Sequence, residues 1–267
     1  MAEQGAARGH GPGAALSCAD SQSLCLIVRY DGTDYHGFQK QAGAQTIQGE
    51  LERVLTALMG PGAVIGASRT DAGVHAAGQV AVWTGAVPVP MERAALILNR
   101  RLPAAIQVVR AFWVPKGWDP RWARAAKQYS YRVWRGTGPP DLAHYRTAYW
   151  HPGTLAWGRV QEGARLFIGE HDFRAFRTEG SSAETTIRRI LASGWSMEAD
   201  GRIWRYQVVG TGFLYRMVRH MVGSMLDAAG PMGSTDRILA GLQDPGTKVG
   251  ALAPAAGLTL DWIQFRD

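Results

Sequence analysis

The chain has 267 residues, of which 46% are hydrophobic and 19% are charged. This balance is too apolar and too weakly charged for an intrinsically disordered chain, and the length suits one large domain or two smaller ones. Lysine and arginine number 29 against 22 aspartate and glutamate residues, which gives a net charge of +7. A polyanion is therefore the first partner to consider, and a merely basic protein is the plain alternative.

Cysteine content and hydropathy exclude further classes of protein. The two cysteines, Cys18 and Cys25, have no second pair and no nearby histidine cluster, so neither a disulfide framework nor a zinc site is expected. No stretch approaches the ~20 apolar residues of a membrane span. Residues 1–23 are small, polar and rich in glycine, and they lack the basic start and apolar centre of an export signal. We predict a cytoplasmic protein with no membrane association, in which residues 1–23 form a flexible tail.

Hydrophobic periodicity predicts an α+β fold in two halves, residues 24–135 and 136–267, with a Gly/Pro-rich connection between them. The clearest helix begins after Thr46, a favourable N-cap, and ends at Gly60. Both halves mix helices with short strands and lack the regular βαβ alternation of a doubly wound parallel sheet. The predicted helices are 47–59, 90–101, 154–167, 213–229 and 236–242, and the predicted strands are 24–30, 63–67, 79–83, 106–114, 127–135, 187–197, 203–209 and 258–265.

Asp71 is the first candidate for chemistry. It is the only acidic residue between Glu52 and Glu92, and it lies in a predicted loop of small and polar residues. Small side chains let a large substrate approach the backbone, and a lone carboxylate there suits nucleophilic or base catalysis. A two-carboxylate glycosidase is disfavoured because no second acid lies nearby in the sequence. A solvated surface charge or an Asx turn is the alternative reading of such a residue.

The predicted helix 213–229 carries a second candidate. Its apolar residues cover about 220° of the helical wheel. Arg219 falls at the border of that arc, and Arg216 lies nearer the polar side, where it suits a solvent or phosphate contact. An arginine at the border either snorkels to solvent or presents its guanidinium from a rigid helix into a cleft, where it would orient an anion or a carboxylate.

The strand predicted at 127–135 alternates polar and aromatic residues, with Tyr129 and Tyr131 on one face. Beside the arginines of this region, the pattern allows base stacking next to phosphate neutralisation, although alternating tyrosines are also common in ordinary sheet cores. Walker, Rossmann, zinc-protease and G-x-S-x-G motifs are absent from the sequence. No nucleotide, small-molecule cofactor or metal is therefore expected.

Six segments spread over residues 24–265 carry a family resemblance. Residues 69–76, RTDAGVHA, resemble the catalytic signature of the tRNA pseudouridine synthase A family. Two departures occur: Ser68 stands where the family usually has glycine, and Phe38 stands where it usually has tryptophan. The serine affects the course of the backbone into the catalytic loop, and the phenylalanine lacks the indole N–H donor of tryptophan. Neither departure removes a reactive group. The other matching segments are 30–33 with 37–39 and 46–48, 127–131, 173 with 176–177, 213 with 217–219 and 223, and 253–254 with 257–258.

The resemblance implies a fold and a reaction. The fold is two RRM-like halves whose mainly antiparallel sheets join around a central basic cleft, in a homodimer that binds tRNA. The reaction is conversion of uridine to pseudouridine at positions 38, 39 and 40 of the anticodon stem-loop. The glycosidic C–N bond breaks, the uracil turns, and a C–C bond forms. No cofactor is implied, because this isomerisation is redox-neutral and consumes no second substrate.

The resemblance also implies roles for individual residues. Asp71 would be the nucleophile, attacking either the uracil ring or the ribose anomeric carbon, and Arg219 would hold its carboxylate charged and aimed. Tyr129 would stack on the uracil and is the candidate for removal of the C5 proton. Arg69 would fill the space that the flipped base leaves, and Leu258 would pack on that base. Further substrate contacts are expected from Thr70, His75, Gln39 and Lys40.

Two other functions are compatible with these residues. A non-catalytic RNA-binding module on the same fold would use Asp71 only structurally, so its Asp71→Asn variant would keep all function. An RNA glycosylase that stops after bond cleavage would leave free uracil and an abasic site. The nature of the product therefore discriminates between the three functions.

Overall fold

The computed structural model describes residues 22–180, 183–199, 201–244 and 246–266. Within these ranges, ten strands join in one sheet and six α-helices connect them. The strands are β1 (Gln22–Tyr30), β2 (Val64–Gly66), β3 (His75–Trp83), β4 (Ile106–Pro115), β5 (Arg124–Trp134), β6 (Tyr149–Trp150), β7 (Gly169–Asp172), β8 (Ile187–Met197), β9 (Ile203–Gly210) and β10 (Leu258–Phe265). The helices are α1 (Ile47–Met59), α2 (Met91–Asn99), α3 (Pro120–Ala123), α4 (Trp157–Leu166), α5 (Met217–Ala228) and α6 (Asp236–Gln243).

The two halves of the sheet repeat one arrangement of strands. The order across the sheet is β4-β1-β3-β10-β5-β9-β8-β7, with β2 on β3 and β6 on β5. The first half therefore has the order β4-β1-β3-β2, which is its fourth, first, third and second strand. With the two short strands β6 and β7 left out of the count, the order β10-β5-β9-β8 is again fourth, first, third and second strand of the second half. The pairs are antiparallel except β3 with β10 and β5 with β6. The prediction of a mixed fold with a mainly antiparallel sheet is confirmed.

Strand β5 opens the second half of this arrangement. Its neighbours are β10 and β9, whereas the sequence placed it at the end of a first half that closes at residue 135. The change of topology thus precedes β5, and the Gly/Pro-rich stretch 136–140 is a connection inside the second half. Turn-forming residues mark a loop equally well within a domain and between domains.

Strand β3 shares one edge between two partners. Its last residues pair antiparallel with β2, with Ala81 opposite Gly66, and its first residues pair parallel with β10, with His75 opposite Thr259. The loop that joins β2 to β3 therefore emerges where β2 and β10 diverge. This point is also the junction of the two halves.

Helix α1 and strand β1 form where the sequence predicts them. The Thr46 side chain accepts a hydrogen bond from Gly49 N at 3.2 Å as the N-cap, and Gly60, with φ of 89°, ends the helix. The apolar face of α1 and the alternating inward residues of β1 meet in the core. The buried residues that they contribute are Ile47, Leu51, Val54, Leu55, Leu24, Leu26 and Val28.

A close backbone crossing fixes helix α5. Gly223 faces residues 250–253, and a Cβ added to it would lie 1.6 Å from Ala251 O. Ala253 N donates to Arg219 O at 3.2 Å, which ties the same segment to the helix. Only glycine permits this approach, so the chain enters β10 at a fixed position relative to α5.

The structure differs from the sequence prediction at several element boundaries. Strand β3 begins at His75 rather than at residue 79, and α5 begins at Met217 rather than at residue 213. Arg216 has left-handed backbone angles, φ 60° and ψ 10°, which cannot continue a right-handed helix. Gln22 and Ser23 of the predicted tail belong to β1, and the rest of that tail lies outside the described residues. Elements α3, β6 and β7 were not predicted, because they are too short to show a periodicity.

We predict that Gly223→Ala lowers the free energy of unfolding by about 1–3 kcal/mol, because its methyl group would overlap the carbonyl of Ala251. Urea denaturation followed by circular dichroism measures the change. Gly158→Ala in α4 is the matched control, since nothing lies within 4 Å of its added Cβ. That substitution should raise the free energy of unfolding by up to about 1 kcal/mol. Equal effects at the two positions would contradict the close crossing.

Candidate active site

Asp71 lies in the loop between β2 and β3, at the junction of the two halves. Backbone contacts fix this loop: Phe38 N donates to Thr70 O at 3.1 Å, and Val74 N donates to Asp71 O at 3.1 Å. Gly37 approaches so closely that an added Cβ would lie 2.6 Å from Thr70 O. The loop is therefore held without using the Asp71 carboxylate, which stays available for other contacts.

Across the junction, the Asp71 carboxylate meets Arg219 of α5. Arg219 Nη1 donates to Asp71 Oδ2 at 3.1 Å, and the two side chains are 11% and 16% exposed respectively. Arg219 Nε also donates to Ala253 O at 2.8 Å, so the guanidinium is held at two points. Among the described residues, Arg219 is the one hydrogen-bond partner of this carboxylate, which leaves its second oxygen open to a ligand. The structure thus brings together two residues whose pairing the family resemblance implied.

Tyr129 of β5 is buried beside this pair. Its ring packs edge-to-face on Phe213, with 5.3 Å between the ring centroids. Burial, with a smaller contribution from the Asp71 carboxylate, raises the pKa of Tyr129 to about 12. Its hydroxyl lies 3.2 Å from Ser68 Oγ. The phenol is therefore protonated at neutral pH and hydrogen-bonded to Ser68.

A buried amine that the sequence did not single out lies next to Tyr129. Lys127 Nζ donates to Ser68 Oγ at 2.8 Å and lies 5.5 Å from the centre of the Tyr129 ring. Burial, with repulsion from Arg124 and Arg188, lowers the pKa of Lys127 to about 7. The alternating pattern of β5 could have indicated that Lys127 is buried, because it places residue 127 on the same strand face as the buried tyrosines.

The predicted contacts Arg69, Thr70 and Leu258 differ in exposure. Arg69 is exposed and forms no hydrogen bond or ion pair with any residue of the described ranges. Thr70 is buried, with its Oγ1 2.7 Å from the hydroxyl of Tyr30. Leu258, the first residue of β10, is buried in the core. The arginine is thus available to a ligand, whereas Thr70 already has a protein partner.

The predicted contacts His75, Gln39 and Lys40 lie in other surroundings. His75 is buried: Gly32 N donates to its Nδ1 at 3.2 Å, and its Nε2 lies 3.1 Å from Ala256 O. Both ring nitrogens therefore have protein partners, one from each half of the chain. Lys40 forms a 2.8 Å ion pair with an acidic residue of α1, and Gln39 is exposed. Through these two hydrogen bonds, His75 connects the two halves of the chain.

The described ranges offer no group of three or more histidine, cysteine, aspartate or glutamate side chains that could hold a metal ion. Cys25 is a buried free thiol, and Cys18 lies outside the described residues. In the same ranges, no helix has both the length and the apolar character needed to cross a membrane.

Comparison with known proteins gives the family of this chain. The family model described as tRNA pseudouridine synthase matches residues 26–122 and 164–266. The tRNA pseudouridine synthase A of Acetivibrio thermocellus is 39% identical over 246 residues, which are 91% of this chain and 100% of that protein. The proteins of the same name from Clostridium kluyveri and Geobacter sulfurreducens are 35% and 36% identical, each over 91% of this chain and 100% of the relative. The chain therefore belongs to the tRNA pseudouridine synthase family, a family of isomerases, as its six matching segments predicted.

We predict that Lys127→Met removes a pH dependence of stability. The pKa of Lys127 is lower in the folded protein than in the unfolded chain, so the unfolded chain binds more protons above about pH 7, and wild-type stability rises with pH there. From pH 7 to pH 9, the free energy of unfolding should rise by about 2 kcal/mol more in the wild type than in Lys127→Met. Urea denaturation at both pH values measures this difference. Lys248→Met, at an exposed lysine, should follow the wild type, and the same behaviour in Lys127→Met would contradict the lowered pKa.

Proposed function

We propose that the protein isomerises uridine to pseudouridine at positions 38, 39 and 40 of the tRNA anticodon stem-loop, with Asp71 as the nucleophile. The observation that carries this proposal is the 3.1 Å contact between Asp71 and Arg219 at the junction of the halves. Relatives named tRNA pseudouridine synthase A, whose full length the chain covers, support the choice of tRNA as substrate.

Asp71 has the properties that attack on a nucleotide requires. Its backbone is fixed by the surrounding loop, and Arg219 holds one carboxylate oxygen while the other faces no hydrogen-bond partner among the described residues. The carboxylate attacks either the uracil ring or the ribose anomeric carbon. The glycosidic C–N bond then breaks, the uracil turns, and its C5 bonds to the anomeric carbon. The bond to Asp71 breaks again and returns the free carboxylate, the C5 proton is lost, and the uracil N1 gains a proton from solvent, which completes the isomerisation.

Neighbouring side chains take the remaining roles. Tyr129 stacks on the uracil and accepts the C5 proton. Arg69, exposed and unpaired within the described residues, occupies the stack after the target base has flipped out. Leu258 packs on the flipped base. Thr70 and His75 act indirectly, by holding the loop and the junction through their hydrogen bonds.

The surroundings of the site fit a folded RNA. In this proposal the two halves are RRM-like and enclose a basic cleft, and both subunits of a cytoplasmic homodimer contact the tRNA. The strand order that both halves share supports the first point, and the net charge of +7 supports attraction of a polyanion.

The decisive experiment measures tritium release from a tRNA transcript labelled at uridine C5. The wild type should release tritium and leave pseudouridine, whereas Asp71→Asn should be slower by at least about a thousand-fold because the amide is not a nucleophile. Glu198→Gln is the control, since it alters a carboxylate that pairs with Arg132 at 2.7 Å elsewhere in the sheet. Free uracil as the product would indicate a glycosylase. Binding of tRNA without release would indicate an RNA-binding module.

Arg219→Ala should separate turnover from binding. Because the guanidinium aligns Asp71 instead of contacting the RNA backbone, we expect kcat to fall by about a hundred-fold or more. The Kd for tRNA should change by less than about threefold. Multiple-turnover kinetics and filter binding measure the two quantities, with Arg132→Ala as the control that breaks a different arginine–carboxylate pair. Equal losses in both quantities would assign Arg219 to a phosphate contact.

A further inference from the structure

The proposed function leaves one buried group unused. Lys127 is almost fully buried, and no carboxylate among the described residues pairs with it. A buried amine without a counterion is costly, because burial disfavours its charged form. Its hydrogen bond at 2.8 Å goes to the hydroxyl of Ser68. Packing alone does not explain why a lysine occupies this buried position.

Ser68 connects this amine to Tyr129. Its Oγ lies 2.8 Å from Lys127 Nζ and 3.2 Å from the Tyr129 hydroxyl. The amine, the serine hydroxyl and the phenol therefore form one continuous line of hydrogen bonds. The backbone of Ser68 is held by the buried amide of Gln79, which donates to Ser68 O at 2.6 Å and accepts from Ser68 N at 3.3 Å.

The protonation state of Lys127 decides the direction of this line. A hydroxyl has a single hydrogen, so it donates along the line in only one direction at a time. When Lys127 is an ammonium, it donates to Ser68, Ser68 donates to Tyr129, and the phenol hydrogen faces away from Ser68. When Lys127 is a neutral amine, Tyr129 donates to Ser68 and Ser68 donates to Lys127. The lone pairs of the Tyr129 oxygen are then free to accept a proton.

The surroundings of Lys127 favour the neutral amine. Burial lowers the pKa of Lys127 to about 7, and Arg124 of its own strand and Arg188 of β8 contribute by repelling a further positive charge. The rings of Tyr129 and Phe213 lie 5.5 and 5.6 Å from Nζ. Near neutral pH, both the neutral amine and the ammonium are therefore populated.

Tyr129 can accept the C5 proton only if it passes its own proton to a neighbouring group. Its pKa of about 12 keeps the phenol protonated, and a protonated phenol accepts a second proton only if it loses the first. The Asp71 carboxylate, the acidic group that affects Tyr129, opposes formation of a phenolate. Passing the proton inward as another arrives avoids a phenolate altogether.

We propose that Lys127 is the final acceptor of a proton relay through Ser68 and Tyr129 that removes the C5 proton. The inference rests on the proposed function. The C5–H bond breaks and its proton goes to Tyr129 Oη, the phenol proton goes to Ser68 Oγ, and the Ser68 proton goes to the neutral Lys127 Nζ. The electron pair of the C–H bond restores the C5=C6 double bond of the uracil. Lys127 returns its proton to solvent before the next turnover, and solvent supplies the proton that the uracil N1 gains.

The test compares single-turnover tritium release from C5-labelled tRNA at pH 6 and pH 8. The wild-type rate should rise about tenfold over this range, following the neutral fraction of Lys127. Ser68→Ala should show little rise, so that it is about tenfold slower than the wild type at pH 8 and nearly equal at pH 6. Deuterium at C5 should slow Ser68→Ala more than the wild type. This result would show that the substitution slows the step in which the C5–H bond breaks.

Two further variants separate the relay from a structural effect. Ser68→Thr keeps a hydroxyl and should keep the rise with pH. Ser193→Ala removes another serine hydroxyl that bonds a buried tyrosine, Tyr206, at 2.7 Å, and it should also keep the rise. If Ser68→Ala is slower by the same factor at both pH values, or matches the wild type, the relay is wrong. A wild type that releases no tritium at either pH would instead overturn the proposed function.

Discussion

The contact between Asp71 and Arg219 depends on nearly every long-range feature of this structure. The two side chains are 148 positions apart in the chain and come from different halves of the sheet. Their 3.1 Å contact requires that the β2 to β3 loop and helix α5 stand at a fixed separation. Two opposite charges at such a distance attract by about 5 kcal/mol at an effective dielectric constant near 20, before desolvation is subtracted. The pair therefore aligns the carboxylate only if the scaffold has already placed both partners.

Strand β10 provides this placement. It lies between β3 and β5, so the last strand of the chain joins the first half of the sheet to the second. The segment that leads into it crosses α5 at Gly223 and presents Ala253 O to the Arg219 guanidinium. This one segment of the chain thus sets the position of the helix, the orientation of the arginine and the connection between the two halves of the sheet.

A layer of buried hydrogen bonds behind the loop complements the ion pair in front of it. Gln79 holds the backbone of Ser68 and also donates to the hydroxyl of Tyr30 at 3.4 Å, which in turn bonds Thr70. Buried polar groups of this kind are costly unless every member finds a partner, and a satisfied network is correspondingly rigid. The loop backbone is fixed from behind, and in front the Asp71 carboxylate contacts Arg219 through one of its two oxygens. The same layer contains Ser68, which gives it contact with both Tyr129 and Lys127.

The sequence by itself determined the local elements and the main candidates for reactive residues. Strand β1, helix α1 and strand β10 follow from alternation, capping and 3.6-residue periodicity, which act between near neighbours. Asp71 stood out as a lone carboxylate among small residues, and the motif order indicated the family. Tertiary structure alone decided that β5 belongs to the second half and that His75 is enclosed by protein partners. It also decided that Lys127 is buried against a serine, because pairing between distant strands and burial depend on contacts that no short stretch of sequence contains.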